Sequence, residues 1–262
     1  MKRSYYLLIA ALFVLFLSAD KRPVTLFLAG DSTMSDKTEL TESPERGWGQ
    51  VLPSYFTDKL AIENHAKNGR STRSFITEDR WGTLIRRVQK GDVVLIQFGH
   101  NDAKKEDNKR YADVNVYRYN LIRMVHEVRE KQATPILVTP IARREFENGV
   151  LVDRHGEYPE VVRKLAKDLK VDLIDMHRMS MDLLTELGEE KSKELYVHVA
   201  AGEYAKFPEG KEDNTHLNEQ GALEMAKLAV NTITKKKIQP LKKYLRKVSD
   251  RQTTYTIPAN IK

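Results

Sequence analysis

Short, continuous apolar runs recur along the chain and are separated by amphipathic stretches. Val24–Ala29 leads straight into Gly30-Asp31-Ser32, and Val93–Phe98 leads into Gly99-His100-Asn101-Asp102. Runs of this kind, rich in β-branched residues and without polar alternation, are typical of strands buried on both faces of a parallel sheet. Further strands are predicted at 61–66, 135–139 and 171–175.

The stretches between the strands carry apolar residues at intervals of three and four, which is the spacing of one helix face. Strands that alternate with helices indicate βαβ crossovers, so we predict an α/β domain over 20–239, with a parallel sheet of about five strands covered on both faces. The segment 188–212 is predicted to be rich in loops. Helices are predicted at 48–56, 81–88, 114–128, 158–169 and 177–187, and a last one begins after Asn218, which suits an N-cap.

The beginning of the chain differs from this domain. Lys2 and Arg3 precede the apolar run Tyr5–Leu17, and Ser18-Ala19 then offers small residues for cleavage. This pattern predicts a secretory signal peptide at 1–19, with an uncleaved membrane anchor as the alternative. We therefore expect a secreted protein, periplasmic or extracellular.

Composition excludes several kinds of chemistry and of partner. The 262-residue chain contains no cysteine, which excludes disulfides, a thiol nucleophile and a lipidated cysteine anchor. Its net charge is +7, and much of the excess lies in Lys235-Lys236-Lys237 and in 240–262, which we predict to be a basic C-terminal extension. Basic charge without interleaved aromatic residues or a known binding module does not favour a nucleic-acid partner. We expect a monomer with neither a nucleic-acid partner nor a stable membrane partner once the signal peptide is removed.

Short polar motifs follow three strands and precede the last helix. Ser32 follows the first predicted strand, Gly69 the second and Asn101 the third, so all three are expected at the carboxyl edge of the sheet, where ligands bind in open α/β folds. Asp213 and His216 come just before the last helix. Acyl transfer by a serine needs a base, a group that orients the base, and donors for the oxyanion. These five residues supply all of them.

We predict that Ser32 is the nucleophile, that His216 is its base and that Asp213 orients the ring. The backbone N–H groups of Ser32 and Gly69 and the amide of Asn101 are predicted to form the oxyanion hole. Each motif alone also has an ordinary explanation, such as a turn glycine at Gly69, a helix N-terminus at Asn101 or a capped loop at Asp213. Their order, and their positions relative to the strands, favour the catalytic interpretation.

The motifs resemble the blocks of the SGNH (GDSL-type) hydrolases, which match Gly30-Asp31-Ser32, Gly69, Gly99-His100-Asn101-Asp102 and Asp213-Asn214-Thr215-His216. The longer strings are most similar to those of rhamnogalacturonan acetylesterases, and they are Gly30–Met34, Asn68–Phe75, Gln97–Asp102 and Asp213–Leu217. The resemblance spans residues 24–235. It implies a flavodoxin-like, three-layer αβα fold, removal of acetyl esters from pectic polysaccharide, and the residue roles assigned above.

Other side chains near the predicted edge are candidates for substrate binding. His100 belongs to a catalytic loop, while Tyr204 and Phe207 precede Asp213 in a position that suits stacking on sugars. Basic residues in the loops after strands two to four suit carboxylate recognition, and they are Arg70, Arg73, Lys104, Arg143 and Arg144. As an alternative, some of them could pair with acids such as Glu78 and not with a substrate. No histidine pair has metal-ligand spacing, so we expect no metal and no other cofactor.

The sequence therefore predicts a secreted, metal-independent serine esterase that deacetylates a plant cell-wall polysaccharide, with rhamnogalacturonan as the preferred candidate. Alternatives with the same chemistry are a deacetylase of another glycan, such as xylan or a sialic acid, and a lipase or thioesterase. A periplasmic glycan O-acetyltransferase would pass the acetyl group to a sugar instead of water. A non-catalytic glycan-binding module would not need the complete set of catalytic residues.

Overall fold

A parallel sheet forms the centre of the protein in a computed structural model that describes residues 22–247. In chain order the strands of this range are β1 (Val24–Gly30), β2 (Leu60–Asn64), β3 (Val93–Gln97), β4 (Thr134–Val138), β5 (Phe146–Glu147), β6 (Val150–Leu151), β7 (Asp172–Ile174), β8 (Tyr196–Val199) and β9 (Lys211–Leu217). The sheet has five parallel strands in the spatial order β2-β1-β3-β4-β7. The predicted α/β fold with a parallel sheet is confirmed.

The helices lie in two layers, one on each face of this sheet. They are α1 (Trp48–Val51, continued by a 3₁₀ turn at Leu52–Tyr55), α2 (Thr72–Thr77), α3 (Arg80–Arg87), α4 (Val114–Glu130), α5 (Tyr158–Asp168), α6 (Met176–Ser192) and α7 (Glu219–Lys236). Alternate residues of β1 explain the division, because successive side chains of a strand point to opposite faces. Leu26 and Leu28 pack with α1, α6 and α7, whereas Phe27 and Ala29 pack with α2 to α5. The result is the three-layer αβα arrangement.

Within 22–247, four helices begin at a side chain that accepts a hydrogen bond from the first turn, and these side chains are Ser71 before α2, Asp113 before α4, Asp175 before α6 and Asn218 before α7. Asp113 accepts from the N–H groups of Asn115 and Val116 at the start of α4. Asn218 accepts from Gly221 at the start of α7, as its position in the sequence predicts. Caps of this kind satisfy backbone donors that have no partner inside the helix.

The strand order places a crevice beside β1. The chain passes from β1 to β2 on one side and then crosses to β3 on the other. In open α/β sheets, the crevice outside the carboxyl ends at such a switch point binds ligands. Gly30 at the end of β1 lies opposite Gln97 at the end of β3, so Ser32 and Asn101 leave the sheet on adjacent loops.

The segment predicted to be rich in loops ends in an antiparallel hairpin instead. β8 pairs with β9, so Asp213 and His216 belong to a strand rather than to a loop. β9 is polar except for Leu217, and no apolar alternation marks it as a strand in the sequence. Its geometry comes from pairing with β8, in which the buried Val197 lies opposite Asp213.

The first part of the predicted C-terminal extension packs on the domain. Leu241 is buried in a 3₁₀ helix, Leu241–Tyr244, and Leu245 forms a bridge to Phe56. The predicted signal peptide at 1–19 and the end of the extension lie outside the described residues. Within 22–247, no helix is both long and apolar enough to cross a membrane.

Candidate active site

Ser32, His216 and Asp213 meet at the carboxyl edge of the sheet. Nε2 of His216 lies 3.0 Å from Oγ of Ser32, and its Nδ1 lies 2.8 Å from Oδ2 of Asp213. Ser32 comes from the turn after β1, whereas the other two residues come from β9. An imidazole held between a hydroxyl and a carboxylate can take the hydroxyl proton, and the carboxylate then stabilises the positive ring.

Local hydrogen bonds hold the carboxylate of Asp213. Its Oδ1 accepts from the backbone N–H groups of Thr215 (2.8 Å) and His216 (2.9 Å), so both oxygens are engaged. Partial burial acts to raise the pKa of Asp213, but the hydrogen bonds and the charge of His216 outweigh it and hold that pKa well below its usual value. Asp213 therefore stays ionised, which is what a partner of an imidazolium requires.

N–H donors from three different loops line the cavity that contains Ser32, which has a volume of about 930 Å³. Within 22–247, the backbone N–H groups of Ser32 and Gly69 donate no hydrogen bond to the protein. The side-chain amide of Asn101 donates one hydrogen to the carbonyl of Arg70 (3.1 Å), which orients the group and leaves its second hydrogen available. Preorganised donors of this kind can stabilise a negative oxygen.

Gly69 has a backbone conformation that favours glycine. Its φ is +74°, in the left-handed region where a side chain is strained. A Cβ at this position would also lie 3.4 Å from Nη1 of Arg110. The turn that presents the N–H of Gly69 thus depends on the absence of a side chain.

The turn after β1 is held by a buried network. Oδ1 of Asp31 accepts from the N–H (2.9 Å) and the hydroxyl (2.8 Å) of Thr33, and Oδ2 lies 3.1 Å from Nδ1 of His100. Burial acts to raise the pKa of Asp31, but His100 and Thr33 lower it below its usual value. Gln97 donates to Thr33 as well (2.7 Å). The loops after β1 and β3 are therefore tied together behind Ser32.

A sequence model of the GDSL-like lipase/acylhydrolase family matches residues 28–222, a range that contains all of the geometry just described. The chain belongs to this family. It is a carboxylic ester hydrolase.

Curated relatives of this GDSL-family chain include two proteins of Bacillus subtilis. A rhamnogalacturonan acetylesterase is 42% identical over 226 residues, which are 86% of this chain and 95% of the relative. A protein described as a probable rhamnogalacturonan acetylesterase is 36% identical over 209 residues, 79% of this chain and 91% of the relative.

Solved structures share the fold. The YxiM protein of Bacillus subtilis has a TM-score of 0.72 at 26% identity, and the match covers 83% of this chain and 58% of that one. An acetylxylan esterase from Geobacillus stearothermophilus has a TM-score of 0.58 at 18% identity, with 81% of this chain and 96% of that one covered. The second similarity concerns the fold alone.

Five of the predicted substrate-binding residues line the Ser32 cavity, and they are Arg70, Arg73, His100, Lys104 and Arg143. Arg144 is only 3% exposed and is bound inside the protein. Its guanidinium donates to Oδ1 of Asn214 (2.8 Å), to Oγ of Ser192 (2.9 Å) and to the carbonyl of Glu189. The structure thus gives Arg144 a position that no substrate can reach.

Tyr204 and Phe207 lie in the loop between β8 and β9 and are not among the residues that line the Ser32 cavity. The N–H of Lys206 donates to the carbonyl of Glu42, and the side chain of Lys206 pairs with Glu39. These contacts hold the loop against residues 39–42 instead of over Ser32.

Sequence analysis does not predict two charged residues that lie at the site. Lys37 and Glu45 belong to the polar loop between β1 and α1, and they form an ion pair of 2.7 Å. The Lys37 side chain is 8% exposed, and Glu45 lines the Ser32 cavity. Charged residues in a polar loop suggest a solvated surface, and only the fold reveals their burial.

Asp153, His155 and His177 bring possible metal-ligand atoms within 4.8 Å of one another. Arg163 lies 3.2 Å from Nδ1 of His177, and because a guanidinium can only donate, this nitrogen accepts. The proton of a neutral His177 is therefore on Nε2, from which it donates to Asp153 (3.1 Å). Both ring nitrogens of His177 are therefore engaged by protein groups, which a metal ion would have to displace.

Proposed function

We propose that this protein is an acetylesterase that removes acetyl groups from rhamnogalacturonan through an acetyl-enzyme on Ser32. The observation that carries the proposal is the Ser32–His216–Asp213 arrangement, in a chain 42% identical to a rhamnogalacturonan acetylesterase of Bacillus subtilis. We also propose that the protein is exported, because residues 1–19 have the pattern of a signal peptide.

In the first half of the reaction, Oγ of Ser32 attacks the acetyl carbonyl carbon while its proton passes to Nε2 of His216. The N–H groups of Ser32 and Gly69 and the amide of Asn101 stabilise the oxyanion that forms. Asp213 stabilises the imidazolium. When the tetrahedral intermediate collapses, the bond to the sugar oxygen breaks and His216 returns its proton to that oxygen, which leaves as a free hydroxyl.

In the second half, water takes the place of the sugar hydroxyl. His216 accepts a proton from the water as its oxygen attacks the acetyl group on Ser32. The same donors stabilise the second oxyanion, and its collapse breaks the bond to Oγ. His216 returns the proton to Ser32, and acetate is released.

Acetate release from a panel of acetylated polysaccharides tests this function. We expect the highest kcat/KM with acetylated rhamnogalacturonan and lower values with acetylated xylan, each assayed in buffer without an added acceptor. A higher kcat/KM with acetylated xylan would mean that the substrate is xylan and not rhamnogalacturonan. Release of acetate only when a sugar acceptor is added would instead favour an acetyltransferase.

The charges of the cavity favour an anionic substrate. Each acid that lines it already has a partner in the protein: Glu45 pairs with Lys37, Glu78 with Arg70, Asp107 with Arg110 and Asp213 with His216. Several lysines and arginines that line the cavity, in contrast, have no acidic partner in the described part of the chain. Rhamnogalacturonan carries a carboxylate on each galacturonate, so a surplus of positive charge suits it.

Arg73, Lys104 and Arg143 are the half-buried cations of this surplus. Within 22–247, Arg73 has no hydrogen-bond or ion-pair partner, and Arg143 donates only to Oγ1 of Thr215 and to the carbonyl of His100. Partial burial, together with the charges of Arg110 and Arg143, lowers the pKa of Lys104. We propose that these three cations bind a galacturonate carboxylate.

This carboxylate site predicts a salt effect that depends on the substrate. KM for acetylated rhamnogalacturonan should rise with NaCl because salt screens the attraction, whereas KM for a neutral aryl acetate should stay constant.

Arg73→Gln should raise KM for the pectic substrate about tenfold, the typical loss of one hydrogen bond to a charged group. Arg118→Gln, which removes an exposed arginine of α4 outside the cavity, is the matched control. Equal responses of both substrates would exclude the carboxylate site.

Asn101→Ala should lower kcat about 10²–10³-fold, the usual loss for one oxyanion donor, with little change in KM. The two backbone donors remain, so measurable turnover should persist. Steady-state kinetics with an aryl acetate measures the effect. An unchanged kcat would mean that Asn101 is not part of the oxyanion hole.

A further inference from the structure

We propose that Lys37 positions two of the oxyanion donors, because it joins the turn that carries Ser32 to the turn that carries Gly69. It does not line the Ser32 cavity, so it acts through other residues and not on the substrate. The proposal rests on the function proposed above, since it concerns the oxyanion hole of the same esterase.

The ammonium group of Lys37 lies between two loops. Its Nζ is 2.8 Å from the carbonyl oxygen of Ser32 and 2.6 Å from Oδ1 of Asn68, the residue before Gly69. The hydroxyl of Ser35 adds to this contact, because it accepts from Lys37 (3.1 Å) and donates to Asn68 (2.6 Å). One charged group thus connects the loop after β1 to the loop after β2.

The burial of this lysine calls for an explanation. The side chains of Lys37 and Glu45 are 8% and 14% exposed and form an ion pair of 2.7 Å. Removing two charges from water costs about as much as their attraction returns, so a buried pair is weak evidence for a role in stability. Its location between two loops of the active site is explained better by a role in holding their geometry.

Such geometry matters because the N–H groups of Ser32 and Gly69 have to point at the same oxygen. The two residues follow different strands, β1 and β2. A backbone hydrogen bond from Lys67 to the carbonyl of Gly30 (3.0 Å) joins the loops where they leave the sheet. Lys37 joins them nearer to Ser32. Without its ammonium group, the carbonyl of Ser32 and the amide of Asn68 lose a shared donor and the turns can separate.

Lys37→Met tests this role, because methionine keeps the length of the side chain and removes the donors. We expect kcat for an aryl acetate to fall by up to about 10²-fold, the loss that follows a displacement of about 1 Å, with KM nearly unchanged. An arylboronic acid, which forms a tetrahedral adduct with an active-site serine, provides a second readout. Its inhibition constant should rise by the factor by which kcat/KM falls, which a general loss of stability would not produce.

Lys206→Met is the matched control. Lys206 also forms an ion pair with a glutamate, at 2.6 Å from Glu39, but it contacts neither Ser32 nor Asn68. Its kinetics and boronate inhibition should equal those of the wild type. Circular dichroism and the melting temperature of each variant show whether it is folded.

Asn68→Ala removes the other end of the same bridge. If Lys37 acts through Asn68, the double variant Lys37→Met/Asn68→Ala should be little slower than Lys37→Met alone, because residues that act as one unit are not additive. Full additivity would overturn the proposal. If Lys37→Met does not fold, Asn68→Ala carries the test, and a kcat equal to that of the wild type would overturn it.

The outcomes separate this proposal from the function itself. A wild-type protein that releases no acetate from any ester would refute the esterase. An active wild type with a folded Lys37→Met variant of equal kcat and equal boronate inhibition would refute only the role of Lys37.

Discussion

Replacing Ser32 by alanine should lower acetate release about 10⁶-fold, the size of effect seen when the nucleophile of a serine hydrolase is removed. No other hydroxyl group stands 3.0 Å from Nε2 of His216 within the described residues. The oxyanion donors remain, and they alone support about 10³–10⁴-fold catalysis over water. Acetate released from acetylated rhamnogalacturonan, measured at high enzyme concentration, gives the residual rate.

The Ser32→Ala protein should still fold and still bind its substrate. Ser54→Ala is the matched control, since the hydroxyl of Ser54 only donates to the carbonyl of Val51 in the turn after α1. Its activity should equal that of the wild type. A folded Ser32→Ala protein with wild-type turnover would end the serine-esterase mechanism, whichever substrate is used.

Asp213→Asn should have the second largest effect, a fall in kcat of about 10⁴-fold. The asparagine amide can donate to Nδ1 of His216, which places the ring proton on Nε2. A ring in that tautomer cannot accept the proton of Ser32. The substitution keeps the size of the side chain and an oxygen for the N–H groups of Thr215 and His216, so the fold should be retained.

Steady-state kinetics with an aryl acetate measures this loss independently of carbohydrate binding. Asp182→Asn changes an exposed aspartate of α6 and should leave kcat unaltered. A loss of less than tenfold in Asp213→Asn would mean that another group orients His216. Because the pKa of Asp213 lies below its usual value, this carboxylate should stay ionised at pH values at which an ordinary aspartate takes up a proton.

The sequence by itself determined the sheet and the chemical groups at its edge. β1 and β3 are continuous apolar runs that end in Gly30 and Gln97, and this local pattern suffices to predict buried parallel strands. Because parallel strands have their carboxyl ends at one edge, the motifs at Ser32 and Asn101 are brought together by topology alone. Asp213 and His216 are three residues apart, and this spacing lets the carboxylate of Asp213 bind both the His216 ring and the backbone N–H groups of Thr215 and His216.

Only the tertiary structure decided how charges and polar segments are used. Arg143 and Arg144 are adjacent arginines, yet Arg143 lines the cavity, whereas Arg144 is buried and donates hydrogen bonds to Asn214 and Ser192. The polar strand β9 exists because β8 pairs with it. In each case the burial and the partner of a polar group depend on residues distant in the chain, which no local pattern of apolar and polar positions records.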